Sequence, residues 1–184
     1  MSRTFNVNTL SHFHTIRTFL PGMLGSPTGG TIVTVASVLG KLGASHLSDY
    51  SASKAALIAM HISLRAELDA SSTVAPEGAE DIRTILVTPG QLATPLFAGL
   101  TTPSTFLGPV VEPVELAREI VRMIDAGENG VIGMPLYTRW IDWIHVLPVG
   151  VQSVVRRVSG TDRAMEGYGK HKQPAPDAKD QHMD

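Results

Sequence analysis

The sequence contains no cysteine, which excludes disulfide bonds and metal sites that use thiolate ligands. It has no excess of basic residues either, because the formal net charge is −2, and this argues against a nucleic-acid partner. No apolar run reaches the ~18 residues of a membrane-spanning helix, and the first residues lack the pattern of a signal peptide. The 184 residues, of which 43% are hydrophobic and 17% charged, suit one globular domain, which we expect in the cytoplasm.

The histidines give no sign of a metal site, because the seven of them are scattered without a His-x-x-x-His pair. His12 and His14 are two apart and would point to different sides of a helix. We interpret both as surface or helix-packing residues and expect no bound metal.

The feature around which the chain is organised is a tyrosine and a lysine four residues apart, Tyr50 and Lys54. On a helix this spacing puts both side chains on one face, about one turn from each other. A nearby ammonium favours the phenolate and lowers the pKa of a tyrosine, which otherwise titrates at about pH 10. The pair could then act as a general acid and base toward an alcohol or carbonyl oxygen. The same spacing also occurs in ordinary solvated pairs.

A serine follows the first predicted strand. Residues 31–36 form an apolar, β-branched run that predicts a buried strand, and Ser37 comes directly after it, thirteen positions before Tyr50. Open α/β sheets bind their ligands at the carboxyl ends of strands, so this position suits a functional hydroxyl. The alternative interpretation of Ser37 alone is a turn residue at a strand end.

Two further parts of the sequence contain candidate site residues. A second apolar run, residues 85–87, is followed by Pro89, Gly90, Leu92 and Thr94, although Thr94 alone could equally be a helix cap. Asn8 lies within the first helical pattern, residues 4–20, which we expect Pro21 and Gly22 to end.

Together, the asparagine, the serine, the Tyr-x-x-x-Lys pair and the Pro-Gly-x-x-x-Thr element resemble the short-chain dehydrogenase/reductase family, in its order and at its spacings. The resemblance covers residues 1–160 and implies a partial Rossmann-like, doubly wound parallel sheet of about three strands with flanking helices. It also implies that the amino-terminal half of the family fold is missing. Residues 161–184 are polar, and we expect a disordered tail.

The resemblance assigns a role to each residue of the site. It implies that Tyr50 exchanges a proton with the substrate oxygen, that Ser37 hydrogen-bonds this oxygen, and that Asn8 holds a relay water. Lys54 would lower the pKa of Tyr50 and bind the nicotinamide ribose. The implied catalytic set is Asn8, Ser37, Tyr50 and Lys54. The implied contacts to NAD or NADP come from Tyr50, Lys54, Pro89, Gly90, Leu92 and Thr94.

Part of the family pattern is absent from the sequence. A complete dinucleotide-binding fold has about six parallel strands and a glycine-rich turn after the first of them. Here Gly29 and Gly30 precede the first predicted strand instead of following it. We therefore expect weak dinucleotide binding. The alternative hypothesis is a non-catalytic fragment that dimerises, or pairs with a full-length relative, through helices 4–20 and 49–69.

The remaining segments give weaker expectations. Residues 71–81 predict a surface insertion, and residues 91–111 a partly helical substrate lid. Its apolar side chains favour an apolar alcohol or carbonyl substrate; they are Leu96, Phe97, Phe106, Leu107 and Val110. A helix begins at Pro113 and ends at Gly127, and its expected buried stripe is Ala117, Ile120, Val121 and Ile124.

The last predicted element is an amphipathic segment, residues 137–158, which contains Trp140 and Trp143 among arginines and is broken by Pro148 and Gly150. One interpretation is a terminal helix packed on the domain. The other is an interfacial segment that contacts the endoplasmic reticulum or lipid droplets. The chain resembles membrane-associated retinol and 17β-hydroxysteroid dehydrogenases less closely in this segment than around Tyr50.

Overall fold

The computed structural model describes residues 2–70, 75–94 and 109–159. Its sheet contains three parallel strands in the order β1–β2–β3, which are Gly30–Val35, Ile82–Val87 and Gly130–Ile132. Val35 pairs with Val87, and Val87 with Ile132, so the three strands end at the same edge. The predicted strand 31–36 is confirmed to within one residue at each end, and β2 contains the predicted apolar run 85–87 but begins three residues before it.

Helices cover both faces of this sheet because the buried side chains of β2 alternate. Ile85 and Val87 pack on one face with Leu116 and Met123 of helix α4, Pro113–Asp125. Leu86 packs on the other face with Leu57 and Met60 of helix α3, Ser48–Leu68. A strand that is apolar on both sides is typical of a parallel sheet between two layers of helices.

The first helical segment is longer than predicted and contains a π turn. Helix α1, Ser2–Phe5, continues through the π turn Asn6–Leu10 into helix α2, Ser11–Leu24. The prediction that Pro21 and Gly22 end it is wrong. Pro21 is exposed and costs one backbone hydrogen bond, while Leu20, Met23 and Leu24 pack against the core beneath α2 and stabilise the last turn.

The buried stripe of α4 also differs from the prediction. Leu116 and Met123 are buried and Ile120 packs against them, at spacings of four and three residues. Val121 and Ile124 are instead 54% and 39% exposed, and Ala117 is exposed too. The helix is therefore rotated relative to the expected stripe, so that α4 presents valine and isoleucine outward. Gly127 ends the segment with a φ of +64°, as expected.

The predicted surface insertion is only partly a surface segment. Its end, a 3₁₀ turn at Ala79–Asp81, places Ala79 in the core beside Leu64 and Ile82. Residues 71–74 and most of the predicted lid, residues 95–108, lie outside the described part of the chain, as does the predicted tail 161–184.

The carboxyl-terminal segment forms three short pieces: 3₁₀ helices at Leu136–Arg139 and Ile141–Val146, and helix α5 at Val149–Ser159. Pro148 separates the last two as predicted, whereas Gly150 lies inside the first turn of α5. Ile141 is buried, but Trp140 and Trp143 are 64% and 65% exposed, so the packed-helix interpretation is wrong for both indoles. Within the described residues, no helix has both the length and the hydropathy to cross a bilayer.

Candidate active site

Some of the predicted site residues lie at the edge of the sheet where the three strands end. The amide of Val38 donates to the carbonyl of Pro89 at 2.9 Å, and the amide of Gly90 donates to the carbonyl of Met134 at 2.8 Å. These bonds continue the sheet pairing past its last residues. They bring Ser37 beside Pro89 and Gly90, as the strand-end argument predicts.

Ser37 has extended backbone and caps a 3₁₀ turn, Val38–Gly40, by accepting a hydrogen bond from the amide of Leu39 at 3.2 Å. The turn-residue interpretation therefore describes its local role. A hydroxyl has one donor in addition to its acceptor positions, so this contact leaves the Ser37 proton available to a substrate oxygen.

The turn after Ser37 lies directly on α3. A Cβ built on Gly40 would be 2.7 Å from the carbonyl carbon of Lys54 and 2.9 Å from the amide nitrogen of Ala55. Only a residue without a side chain allows the two backbones to come this close. Gly40 therefore brings the Ser37 turn against the part of α3 that carries Lys54.

Tyr50 and Lys54 lie on one face of α3, as predicted. The Lys54 Nζ is 5.9 Å from the centroid of the Tyr50 ring, and it donates to the carbonyl of Val35 at 3.0 Å. Burial lowers the pKa of the Lys54 ammonium, because the charged form loses hydration. The cation therefore bridges the tyrosine ring and the end of β1, two residues before Ser37.

Asn8 joins this group from the π turn. Its Nδ2 donates to the Ser53 Oγ at 3.1 Å, and that hydroxyl donates to the carbonyl of Tyr50 at 2.7 Å. The Thr9 hydroxyl donates to the carbonyl of Ser53 at 3.0 Å, which fixes the π turn on α3. Asn6 is exposed, so the structure brings Asn8 and not Asn6 to Ser53, the residue before Lys54. π turns occur often at functional sites.

The remaining predicted residues follow the end of β2. A Cβ on Gly90 would lie 3.0 Å from both the Pro135 Cδ and the Tyr137 hydroxyl. Leu92 forms a parallel bridge with Val111 and its side chain packs against the core, while the amide of Thr94 donates to the Leu92 carbonyl at 2.8 Å. Leu92 and Thr94 thus lie farther along the chain than the strand edge.

Three polar groups around the site were not predicted from the sequence. Asp49 accepts from the Thr4 hydroxyl at 2.9 Å and from the Tyr50 amide at 2.8 Å, and these bonds lower its pKa. Asp49 could have been recognised from the sequence, because an acidic residue in the first turn of a helix is stabilised by the helix dipole. Tyr137, whose pKa burial raises, places a neutral phenol beside Gly90. The Thr88 hydroxyl, at the end of β2, is buried without a hydrogen-bond partner among the described residues.

A long-range ion pair connects the two sides of this edge. The Lys41 Nζ lies 2.7 Å from the Asp142 Oδ2, across 101 positions of the chain. It ties the loop after Ser37 to the carboxyl-terminal segment. No spacing rule could reveal it, because the two residues meet only through the tertiary fold.

The site fits one half of a nicotinamide dinucleotide. An ammonium has three donors, and the Val35 carbonyl takes one from Lys54, so the remaining donors suit ribose hydroxyls. The strand-edge backbone of Pro89 and Gly90 would form the wall for the nicotinamide. The described residues contain no glycine-rich turn between a strand and a helix, so they do not provide the usual pyrophosphate site.

Within the described residues, no group of three or more histidines and carboxylates could hold a metal ion.

Comparisons with known proteins agree with this fold. The family model described as short chain dehydrogenase matches residues 1–104. The uncharacterized oxidoreductase TDA5 of Saccharomyces cerevisiae is 38% identical over 162 residues, which are 88% of this chain and 48% of the yeast protein. Human estradiol 17-beta-dehydrogenase 11 is 32% identical over 170 residues, 91% of this chain and 53% of that protein.

One solved structure extends the comparison to the fold. A short chain dehydrogenase from Burkholderia cenocepacia, crystallised in complex with NADP, matches with a TM-score of 0.59 at 22% identity, over 83% of this chain and 57% of that chain. This likeness confirms the predicted partial Rossmann-like sheet. The chain spans about half the length of the relatives named above.

Proposed function

The chain belongs to the short-chain dehydrogenase family, and on this premise we propose that it carries the catalytic half of an NAD(P)-dependent oxidoreductase. The reaction would interconvert an apolar alcohol and its ketone or aldehyde. The observation that carries the proposal is the position of the Lys54 ammonium, between the Tyr50 ring and the Val35 carbonyl. Because the relatives are about twice as long, the activity of the chain is part of the proposal.

In the direction of reduction, Tyr50 gives its hydroxyl proton to the carbonyl oxygen of the substrate. The adjacent ammonium of Lys54 stabilises the phenolate that this transfer leaves behind. Ser37 donates its hydrogen bond to the same oxygen as negative charge develops there. A dinucleotide, when bound, would supply the hydride that the carbonyl carbon accepts.

Reprotonation of Tyr50 requires a route to solvent. Asn8 contacts Ser53, between Tyr50 and Lys54, and its carboxamide could hold a water in this path. The π turn supports this role because it widens the helix where Asn8 lies and directs that residue toward α3. In the direction of oxidation the same groups act in reverse.

The proposed substrate class rests on apolar side chains and on the names of relatives. Val110, at the described end of the predicted lid, is exposed, whereas Leu96, Phe97, Phe106 and Leu107 lie outside the described residues. A relative is named as acting on estradiol, a steroid alcohol. We extend only the class, an apolar secondary alcohol or ketone, to this chain.

A substitution at Tyr50 tests the proposed chemistry. Purified chain is titrated with NADPH and NADH by fluorescence and then assayed with steroid, retinoid and fatty carbonyl compounds. Tyr50→Phe should lower turnover about 10²- to 10⁴-fold, the range for loss of a general acid, while circular dichroism stays that of the parent. Full carbonyl reduction by a folded Tyr50→Phe variant would contradict the assignment.

A second candidate function is a non-catalytic dimerisation module, which the exposed apolar side chains of the first helices favour. Val7, Leu10, Phe13 and Phe19 are exposed there, and Ile62 is exposed on α3. Exposed clusters of this kind often mark interfaces. Sedimentation of the parent and of Phe13→Glu would show whether this face holds two chains together. Pairing with a longer relative, without any dinucleotide binding, would favour this function over the enzyme.

We also propose that the carboxyl-terminal segment contacts a lipid surface, such as the cytoplasmic face of the endoplasmic reticulum or a lipid droplet. Trp140, Trp143, Val146 and Val149 are all exposed, and Arg139 is exposed beside them. Indoles with neighbouring arginines suit the boundary between headgroups and acyl chains. Flotation with phosphatidylcholine vesicles should recover the parent and lose a Trp140→Ser, Trp143→Ser variant.

A further inference from the structure

Ser53 lies where the π turn of the first helical segment contacts α3. It is fully buried, at 0% exposure, and three hydrogen bonds meet at this residue. The Asn8 Nδ2 donates to its hydroxyl at 3.1 Å, and that hydroxyl donates to the carbonyl of Tyr50 at 2.7 Å. The Thr9 hydroxyl donates to the Ser53 carbonyl at 3.0 Å. Two consecutive residues of the π turn therefore contact the residue that precedes Lys54.

The hydroxyl proton of Ser53 determines which way the Asn8 carboxamide is turned. A backbone carbonyl can only accept, so Ser53 gives its single proton to Tyr50 and can meet Asn8 only as an acceptor. The carboxamide must therefore present its NH2 group to Ser53, and its Oδ1 lies on the other branch of the amide. The reversed amide would put two acceptor oxygens side by side. Ser53 thus selects between two orientations that have nearly the same shape.

The Oδ1 of Asn8 is the atom that this arrangement turns away from α3. Among residues 2–70, 75–94 and 109–159 it accepts no hydrogen bond, and Asn8 is only half-buried, so water can reach it. A carboxamide oxygen is an acceptor with two lone pairs. When it accepts a hydrogen bond from a water molecule, the lone pairs of that water stay available to a second donor.

Ser51 provides a contrast on the same helix. It lies two residues before Ser53 and is also buried, but its hydroxyl has no hydrogen-bond partner among the described residues. Ser53 instead uses its hydroxyl as a donor and as an acceptor at once. Burial in α3 therefore does not by itself give a serine these contacts, and the orientation of Asn8 depends on Ser53 in particular.

We propose that Ser53 is a positioning residue that acts through Asn8, because its hydroxyl turns the Asn8 carboxamide so that the oxygen accepts the relay water. Ser53 itself touches neither the substrate nor the dinucleotide. After Tyr50 has given its proton to the substrate, the water receives a proton from solvent and passes one of its own toward the phenolate. The effect on turnover rests on the proposed function, whereas the orientation of Asn8 does not.

The orientation can be measured without turnover by NMR of the isotope-labelled whole chain. The side-chain NH2 protons of Asn8 should show nuclear Overhauser effects to the β protons of Ser53 and should exchange with water more slowly than those of Asn6. Asn6 is exposed two positions earlier and is the control within the same molecule. Ser53→Ala should speed the exchange at Asn8, and Ser51→Ala should leave it unchanged.

The spectrum of the parent needs no variant, so it decides the orientation even if Ser53→Ala does not fold. If the NH2 protons of Asn8 lacked the contact to Ser53, or exchanged as fast as those of Asn6, the proposal would be overturned. A folded Ser53→Ala variant in which Asn8 exchanges as slowly as in the parent would overturn it as well.

The effect on the reaction is measured by steady-state kinetics with and without added imidazole, a mobile proton carrier. Ser53→Ala should lower kcat about 2- to 10-fold, which corresponds to the loss of one neutral hydrogen bond, and should leave KM unchanged. Ser51→Ala should keep the parent's kcat. Imidazole should restore kcat of Ser53→Ala, because a soluble carrier replaces the misplaced relay water.

The rescue by imidazole separates positioning from a purely structural role. If Ser53 only clamped the π turn onto α3, its loss would displace Tyr50, and no proton carrier would restore the rate. A loss of kcat that imidazole leaves unchanged would therefore overturn the positioning role. If the parent does not turn over, the proposed function fails, and the NMR measurements alone decide the orientation of Asn8.

Discussion

Lys54 donates a hydrogen bond 3.0 Å long to the main-chain carbonyl of Val35, the last residue of β1. This bond ties the first turns of α3 to the end of the sheet. It also holds the ammonium in a partly desolvated position near the ring of Tyr50, where its charge is screened less than at the surface. One side chain therefore couples the packing of the helix to the electrostatics of the proposed acid and base.

Replacement of Lys54 by Met should remove most of the activity and should lower the stability of the fold only slightly. Methionine keeps the aliphatic stem and removes the charge, so Tyr50 loses the group that stabilises its phenolate. We expect turnover to fall by at least ~10²-fold, as for other losses in acid–base catalysis. Lys54→Arg keeps the charge in a different shape and should keep part of the activity. The measurement is the steady-state kinetics of both variants. If Lys54→Met were as active as Lys54→Arg, the proposed role of the Lys54 charge would be contradicted.

Gly40 offers a test of the close contact between the Ser37 turn and α3. A methyl group in Gly40→Ala would meet backbone atoms of Lys54 and Ala55, which cannot move as a side chain can. Overpacking of this kind costs about 1–3 kcal/mol. Gly43→Ala is the matched control, since a Cβ there meets nothing within 4 Å. Urea denaturation should show a loss of stability for Gly40→Ala and none for Gly43→Ala. Equal denaturation midpoints of the two variants would contradict the close contact.

The strands, the helix of Tyr50 and the spacing of the site could be predicted because each follows from local pattern. Residues 31–36 and 85–87 are continuous apolar runs, which parallel strands buried on both faces require. Tyr50 and Lys54 share a face in any regular helix. Ser37 lies beside Pro89 because both follow strands that end at one edge. Local pattern and fold therefore agree at these positions.

The errors arose where tertiary packing outweighs local preference. Helix α2 continues past Pro21 because Leu24 packs against the core. Rules based on local sequence do not include such a tertiary contact. Val121 and Ile124 fit an apolar stripe as well as Leu116 and Met123 do, and only the docking of α4 on β2 selects the latter pair. The π turn at Asn8 depends on bonds to Ser53, 45 positions away. None of these could be predicted from spacing.

Asp142→Asn should loosen the carboxyl-terminal segment with little change in global stability. The side chain of Asp142 is 58% exposed and that of Lys41 11%, so solvent screens the pair and its contribution is about 0–1 kcal/mol. The local effect should be larger, because the ion pair joins this segment to the loop after Ser37. Limited trypsin digestion should cleave after Arg139 faster in Asp142→Asn. Asp125→Asn, at the exposed end of α4, is the control and should digest like the parent.

His61 should make the stability of the chain fall in mild acid. It is buried on α3, and its Nδ1 lies 3.0 Å from the Thr34 Oγ1 on β1. Burial lowers the pKa of His61, and the charge of Arg65 adds to this. The unfolded chain therefore binds a proton more readily than the folded chain, so stability is full above pH ~6.5 and is lost as pH falls through the lowered pKa. For one proton the slope cannot exceed ~1.4 kcal/mol per pH unit.

The measurement is the free energy of unfolding in urea between pH 5 and 8, a range chosen because it lies above the usual titration of the carboxylates. His61→Gln keeps a polar partner for Thr34 and has no proton to gain, so its stability should change less with pH than that of the parent. Exposed His14 on α2 provides the control, and His14→Gln should keep the parent's slope. If the parent and His61→Gln lost stability equally between pH 6.5 and 5, another group would be responsible, and the buried pair of His61 and Thr34 would not be the acid-sensitive contact between α3 and the sheet.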